Sequence, residues 1–141
     1  MKPRAVRPPP PALIGLLLVI GALGILGGLG LALSNGRWLG LPLDLLEHSP
    51  FASYRLPGLV LAVVVGGSQL AAGVAVWQRR PRYLTLAALA AVLLAGWIAI
   101  QALMIGIYWL QPVMFIAAIM ELGLVSANLP SSTPSPARKR R

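Results

Sequence analysis

Four long apolar stretches, free of charged residues except for one glutamate in the last, dominate this chain of 141 residues. Hydrophobic residues make up 57% of the sequence and charged residues only 11%. So few polar residues cannot coat a water-soluble domain of this size. The pattern therefore predicts an all-α, polytopic membrane protein with four transmembrane helices.

The predicted transmembrane helices cover residues 12–33, 57–77, 83–107 and 112–127. At about 1.5 Å per residue, the first three are long enough to cross a hydrocarbon layer of roughly 30 Å. The fourth is short, and Trp109 and Leu110 can extend it. The first stretch also has the outline of a signal peptide, but its apolar core exceeds the usual length of about 7–15 residues. This length favours an uncleaved membrane anchor.

Two basic segments flank the predicted transmembrane domain, which spans residues 12–129. Residues 1–11 form a basic, proline-rich leader, and residues 130–141 form a turn-rich tail in which we expect no helix. The tail ends in four cations, each of which attracts anionic lipid headgroups by about 1 kcal/mol. These cations are Arg138, Lys139, Arg140 and Arg141. The expected partner is thus the lipid bilayer rather than nucleic acid, although the pI is about 11.7.

Lysine and arginine are distributed unequally between the two sides of a four-helix topology. Only Arg37 and Arg55 fall on one side, and the other basic residues fall on the opposite side: Lys2, Arg4, Arg7, Arg79, Arg80, Arg82, Arg138, Lys139, Arg140 and Arg141. Because basic loops resist translocation, both termini are predicted to be cytoplasmic. The abundance of arginine, alanine, glycine and proline is typical of a GC-rich bacterial genome, so we expect the bacterial plasma (inner) membrane.

Small residues form faces on three of the predicted helices. These are Gly24 and Gly28 with Gly21, Gly27 and Gly30 nearby; Ala62, Gly66, Gly67 and Ala71; and Ala87, Ala91, Ala95 and Ala99. In lipid, such faces let helix backbones approach closely and pack. Packing within one bundle explains them, and assembly of a homo-oligomer or a larger membrane complex is the alternative.

Three polar residues inside the spans form the candidate intramembrane polar site: Glu121, Gln69 and Gln101. Counted from the predicted helix starts, Gln69 and Glu121 both lie roughly 14–18 Å deep. A charged carboxylate at that depth costs a few kcal/mol, so such residues face the bundle interior and find a partner. We expect Gln69 or Ser68 to be that partner. Alternatively, a fourth helix that begins at Trp109 brings Glu121 toward the inner interface, where it meets water or an arginine. For both glutamines an interhelical hydrogen bond is the simplest role.

The loop between the first two spans holds the other acidic residues and the only histidine. Pro42 and Pro50 frame a predicted short interfacial helix whose leucines enter the headgroup region. Asp44, Glu47 and His48 have the spacing of three metal ligands, but a solvated acidic face explains the same residues. The chain has no cysteine, no GxSxG motif and no phosphate-binding loop. We therefore expect no cofactor, no metal and no enzymatic activity.

The stretch HSPFASYRLPGL at residues 48–59, followed by VGGSQ at residues 65–69, carries a family resemblance. It resembles uncharacterised small four-helix integral membrane proteins of actinobacterial type, and WLQP at residues 109–112 is a weaker second signal. The resemblance implies architecture only, and no functional residue is carried over from it.

Two classes of function fit these residues. The first is a structural or accessory membrane protein, in which the small-residue faces and the basic tail serve packing, lipid contact or a larger partner. The second is a small proton-coupled carrier or sensor that uses the carboxylate of Glu121 while Gln69 lines a polar path. The sequence favours the first.

Overall fold

The computed structural model describes residues 8–129 of the chain. Most of the predicted leader and the whole predicted tail, including Arg138, Lys139, Arg140 and Arg141, lie outside the described residues.

Four helices make up the described part of the chain. They are α1 (Pro11–Ser34), α2 (Arg55–Trp77), α3 (Tyr83–Ile105) and α4 (Leu110–Ala127). Each is long and apolar enough to cross a membrane. The predicted fold class is confirmed, and each helix boundary lies within two residues of the predicted one.

The helices run up and down and pack in the order α1, α2, α3, α4, with α4 also contacting α1. Residues 35–54 and 106–109 connect helices at one end of the bundle, which we call the loop end. Residues 8–10, 78–82 and 128–129 lie at the other, which we call the terminal end. The short connections, residues 78–82 and 106–109, favour antiparallel neighbours.

The helix ends follow from local sequence. Pro11 occupies the first turn of α1, where its missing N–H is not needed. Asn35 and Gly36 end α1 in left-handed conformations. A side chain on Gly36 would collide with the Tyr54 ring, so this position requires glycine. Gly106, with φ of 75°, ends α3 two residues earlier than predicted.

Helix α2 is not regular throughout. It is α-helical over Arg55–Val60, forms a π-helical segment over Leu61–Gly66, and is α-helical again over Gly67–Trp77. A π-helical segment is less stable than a regular turn and frequently lies at functional sites. Gln69 follows this segment by three residues.

Helices α1 and α2 pack backbone to backbone along what we call the glycine seam, formed by Gly24, Gly28, Gly58, Ala62 and Gly66. A Cβ atom added to Gly28 would lie 2.5 Å from the Gly58 carbonyl oxygen and from the Ala62 nitrogen. A Cβ on Gly24 would lie 3.0 Å from the Gly66 Cα. These small residues are therefore used for packing within one chain, as the sequence favoured.

Two apolar clusters fill the bundle. The loop-side cluster consists of Ile20, Val65, Leu94, Trp97, Ile98, Ala117 and Ala118. The terminal-side cluster consists of Leu13, Leu17, Ala72, Val76, Ala87, Ala90 and Val125. Every helix contributes to both clusters, so the bundle interior has two successive apolar layers.

The connection between α1 and α2 folds onto the loop end of the bundle. It contains two short 3₁₀ turns, Arg37–Leu39 and Leu43–Leu46, where a single short helix was predicted. Leu46 is buried against Leu31 and Tyr54. The Tyr54 N–H donates to Asn35 Oδ1 at 2.8 Å, and the Tyr54 hydroxyl donates to the Pro42 carbonyl at 2.9 Å. The interfacial position of this connection stays a prediction.

Candidate intramembrane polar site

Gln69 of α2 and Glu121 of α4 meet in the interior of the bundle. Both side chains are fully buried, with 0% of their surface exposed. Gln69 Nε2 donates a hydrogen bond to Glu121 Oε2 at 2.9 Å and another to the Ala90 carbonyl oxygen of α3 at 3.3 Å. The pair therefore joins three helices at one point.

The residue pattern of α4 explains why Glu121 points inward. Ala117, Ala118 and Val125 are buried on the same face of the helix, at spacings of three and four residues from Glu121. The exposed side of α4 carries large apolar residues such as Ile116 and Met120. An inward face with alanines next to the carboxyl leaves room for the side chain of Gln69.

The polar pair lies at the boundary between the two apolar clusters. On α2, Gln69 stands between Val65 of the loop-side cluster and Ala72 of the terminal-side cluster. On α4, Glu121 stands between Ala118 and Val125 of the same two clusters. The pair is thus closed off by an apolar layer in both directions along the bundle.

The hydrogen bonds of the pair are incomplete. Both N–H groups of Gln69 have acceptors, but Gln69 Oε1 and Glu121 Oε1 are buried without a hydrogen-bond partner among residues 8–129. A buried acceptor without a donor costs free energy. A protonated carboxyl group would add one O–H donor to this centre, whereas a carboxylate adds none.

No positive charge faces Glu121 from the described helices. Helices α1 and α3 contain no charged residue, and Glu121 is the only one in α4. The only charge in α2 is Arg55 at its loop end, about 21 Å along the helix from Gln69 by helical rise. A buried carboxylate with a single neutral donor is poorly compensated, so this environment favours the neutral acid.

The pair lies nearer the terminal end than the loop end. Glu121 precedes Ala127, the last residue of α4, by about 9 Å along the helix axis, and Gln69 precedes Trp77 of α2 by about 12 Å. The similar depth of the two residues is as expected. Although α4 begins at Leu110, close to the alternative start considered for it, Glu121 remains buried and contacts no arginine among residues 8–129.

Gln101, the third predicted polar residue, lies apart from the pair. It is half-buried on α3 and lines a cavity of about 40 Å³ at the loop end, together with Trp97, Tyr54 and Leu46. Ser68, the other expected partner of Glu121, instead donates to the Val65 carbonyl oxygen of its own helix at 2.9 Å.

Two further buried polar side chains belong to the same interior, although the sequence analysis did not single them out. Trp97 is 9% exposed, and its indole N–H has no hydrogen-bond partner in the part of the chain that the structure describes. Gln111 accepts a hydrogen bond from the Tyr108 N–H at 2.9 Å, while its Nε2 has no partner in that same part. Gln111, Met114 and Ala118 are three and four residues apart and so share one helical face. This spacing is the sequence signal that could have identified Gln111 as an inward-facing residue.

The structure does not bring the residues of the acidic cluster, in the connection between α1 and α2, together as a group of ligands. Asp44, Glu47 and His48 are all exposed. Within residues 8–129, no group of three histidine, cysteine, aspartate or glutamate side chains is placed to hold a metal ion.

Compared with protein-family models, curated proteins and solved structures, the chain matches none of them. The class of protein that the fold defines is a small multi-pass membrane protein with four apolar helices. Its particular function has to be argued from the buried polar pair.

Proposed function

We propose that this chain is a small, non-enzymatic integral membrane protein in which Glu121 is a proton-binding group that senses or couples to protons. Of the two functions that the sequence left open, this is the one that the geometry supports best. The supporting observation is the Gln69–Glu121 hydrogen bond in a fully buried setting with one carboxyl oxygen left without a partner.

The chemistry of the pair accounts for a switch between two states. With a proton bound, the carboxyl is neutral and suits an apolar interior. Without it, a negative charge is held by one amide N–H, and the surrounding helices must move or admit water to solvate it. Because the amide of Gln69 bonds to both α3 and α4, loss of the proton acts on three helices at once.

Sensing fits better than transport of a bulky substrate. The cavity that Trp97 and Gln101 line has a volume of about 40 Å³, which is enough for one or a few water molecules and too small for a metabolite. A larger, half-open pocket of about 330 Å³ lies on the connection between α1 and α2, where Asn35, Arg37 and Leu43 line it, and it includes neither Gln69 nor Glu121. A carrier of the proton itself remains compatible with the smaller cavity.

Infrared difference spectroscopy in bilayers tests the proposal. We expect the carbonyl band of a protonated carboxylic acid at neutral pH, and we expect Glu121→Gln to remove it. The exposed Glu47 provides the matched control, because Glu47→Gln leaves that band in place. A spectrum in which Glu121 is a carboxylate at neutral pH would contradict the proposal.

Tryptophan fluorescence provides a second readout of the same switch. Trp97 lies in the loop-side cluster next to the pair, whereas Trp38, Trp77 and Trp109 are exposed. We expect a pH-dependent emission change that is lost in Glu121→Gln and kept in Glu47→Gln. An identical pH response in Glu121→Gln would show that the carboxyl does not control the bundle.

A structural or accessory role is the second candidate function. The observation in its favour is that the Gln69 amide ties together three helices, which is the usual role of a polar residue inside a membrane bundle. In this role Glu121→Gln preserves fold, insertion and biological activity, since a glutamine supplies the same acceptor oxygen. A proton-linked role predicts that the same variant folds but loses its pH response.

The proposed location is the bacterial plasma membrane with both termini in the cytoplasm. The exposed arginines Arg79, Arg80 and Arg82 lie in the turn at the terminal end, whereas Arg37 and Arg55 lie at the loop end. This distribution supports the orientation through the resistance of basic loops to translocation. A reporter that is active only outside the cytoplasm should be active when inserted at Ser49 and inactive when fused after residue 141. The reverse pattern would overturn the orientation.

Lipid is the proposed partner of the basic tail. The four cations of residues 138–141 should bind anionic vesicles with an affinity that falls as salt is added, because the attraction is screened. Binding that is independent of salt, or equal on neutral vesicles, would remove this part of the proposal.

Membership of the actinobacterial-type group that the sequence resembles is likewise a proposal.

A further inference from the structure

The two apolar layers that enclose Glu121 differ in construction, although each contains residues from all four helices. The terminal-side cluster consists of residues in regular α-helix. The loop-side cluster includes Val65, which lies in the π-helical segment of α2, and Trp97, whose indole N–H has no hydrogen-bond partner within the described residues. The loop-side layer is therefore the one with irregular backbone and an unsatisfied polar group.

The loop-side layer also borders a cavity. Trp97 belongs both to the loop-side cluster and to the wall of the cavity of about 40 Å³ at the loop end. Gln101, one turn further along α3, lines the same cavity and makes no hydrogen bond within the described residues. In a wall that is otherwise apolar, Trp97, Gln101 and Tyr54 carry polar groups, and a space of this volume holds about one water molecule.

We propose that this loop-end cavity is a water-binding site through which protons reach Glu121, with Trp97 and Val65 as the gate between them. The inference rests on the proposed function and gives it a direction, because proton access is assigned to the loop end. By helical rise along α3, Trp97 lies about 10 Å and Gln101 about 16 Å from the level of Ala90. We assign the movement of this gate to the π-helical segment of α2, which contains Val65 and is a kind of irregularity frequent at functional sites.

No competing ionisable group faces Glu121 from the neighbouring helices. Along α1 and α3 the described sequence has no acid or base that faces it, and α2 offers the neutral Gln69. Tyr83, at the terminal end of α3, packs against the terminal-side cluster. Proton exchange at this depth therefore reports on Glu121.

Cysteine accessibility tests the direction of access, and the chain is suited to it because it contains no native cysteine. Val65→Cys and Ala72→Cys place thiols on α2 on either side of Gln69. Both positions are buried, with exposures of 1% and 2%. Ala72 lies about 7.5 Å from the terminal end of α2, and Val65 about 15 Å from the loop end. Depth alone thus favours labelling at Ala72.

We expect the opposite order. A small charged thiol reagent should label Val65→Cys at least ~10-fold faster than Ala72→Cys in the full-length protein, because water reaches the loop-side layer. Equal rates, or faster labelling at Ala72→Cys, would overturn the proposal. Gln101→Leu in the Val65→Cys background should lower the rate, and Gln78→Leu, at an exposed glutamine, should leave it unchanged.

Hydrogen–deuterium exchange of the Glu121 carboxyl separates this inference from the proposed function. After transfer to D₂O, the shift of its carbonyl band should be several-fold slower in Gln101→Leu than in the wild type or in Gln78→Leu. If the band is absent in the wild type, the proposed function itself fails. If the band is present but its exchange rate is the same in Gln101→Leu, only the assigned route fails.

Discussion

The glycine seam between α1 and α2 and the polar contact between α2 and α4 hold the same helix by opposite means. At the seam, Gly28 approaches the Gly58 carbonyl oxygen so closely that no side chain fits between them. At the polar contact, the side chains of Gln69 and Glu121 bridge two helices that are not neighbours along the chain. The seam uses the absence of side chains, whereas the contact depends on two particular ones.

This difference makes the seam the rigid contact of α2 and the polar contact the one that can respond to pH. The seam is backbone against backbone and has no group that changes charge, so it stays the same under all ordinary conditions. The polar contact changes its hydrogen bonding when a proton leaves. Helix α2 belongs to both, and its π-helical segment Leu61–Gly66 overlaps the seam and ends three residues before Gln69. We infer that α1 holds α2 in place while the rest of the bundle responds to Glu121.

The largest expected effect is the loss of the seam. Gly28→Ala inserts a methyl group where the Ala62 nitrogen and the Gly58 oxygen lie 2.5 Å from its Cβ. Backbone atoms cannot rotate away, so the helices must separate, and we expect a loss of up to ~3 kcal/mol in the free energy of unfolding. Unfolding in mixed detergent micelles by added denaturing detergent measures it.

Gly27 provides the matched control for the seam. A Cβ on this neighbouring glycine of the same helix meets no atom within 4 Å. Gly27→Ala should change the free energy of unfolding by less than ~1 kcal/mol. The higher helix propensity of alanine should make any change a stabilising one. If both alanine variants were equally stable, close backbone packing would not be what holds α1 to α2.

The sequence was sufficient to predict the helices but not which face of each one packs. Helix ends were predicted within two residues because hydropathy, proline and glycine mark them directly. Gly24, Gly27 and Gly28 are equally small, yet only Gly24 and Gly28 meet α2. Which glycines pack depends on the rotation of α1 about its axis, and a helix that is apolar all round contains no signal for that rotation.

The candidate site, too, could be predicted from the sequence only in part. The depth of a residue along a predicted helix can be counted from the sequence, because each residue rises about 1.5 Å. Comparable depth therefore limited the expected partner of Glu121 to Gln69 or Ser68. Choosing between them required the orientation of α2, which its π-helical segment changes. The contact with the Ala90 carbonyl, the unpaired N–H of Trp97 and the cavity beside Gln101 all arise from packing between helices. None of these has a local sequence signal.

The second prediction concerns the coupling between Gln69 and Glu121. Gln69→Leu leaves the carboxyl without its donor and should cost about 1–2 kcal/mol of unfolding free energy. Glu121→Gln should cost less than ~0.5 kcal/mol, because an acceptor oxygen remains. Combined with Glu121→Leu in a double-mutant cycle, Gln69→Leu should show a coupling between about 0.6 kcal/mol, the average for hydrogen bonds measured inside a membrane bundle, and about 1.7 kcal/mol, the largest value.

If the effects of Gln69→Leu and Glu121→Leu were additive, the hydrogen bond between the two side chains would add nothing to stability beyond the packing of the surrounding apolar clusters. Gln101 provides the control residue. It lies on a different part of α3 and has no bond to Glu121, so Gln101→Leu and Glu121→Leu should be additive within ~0.5 kcal/mol.

The smallest expected effect lies at the loop end of the seam, where Tyr54 fastens the connection between α1 and α2. Tyr54→Phe removes the hydroxyl bond to the Pro42 carbonyl and should cost about 0.5–1.5 kcal/mol at neutral pH. Tyr108→Phe is the control, since the Tyr108 hydroxyl makes no bond within residues 8–129. Equal losses in the two variants would show that the connection is held by Leu46 and the apolar contacts alone.

The same tyrosine gives the connection between α1 and α2 a dependence on alkaline pH. Burial, and then the negative charge of Asp44, raises the pKa of Tyr54 above its ordinary value of 10.0. In the unfolded chain the phenol loses its proton first, so the free energy of unfolding should fall as the pH rises above about 10, with no effect near neutrality. Absorbance of the phenolate should show a late titration step that Tyr54→Phe removes and that Asp44→Asn moves to lower pH. A step that stays in place in Asp44→Asn would mean that Asp44 does not raise the pKa of Tyr54, and that the connection does not bring this carboxylate near the tyrosine.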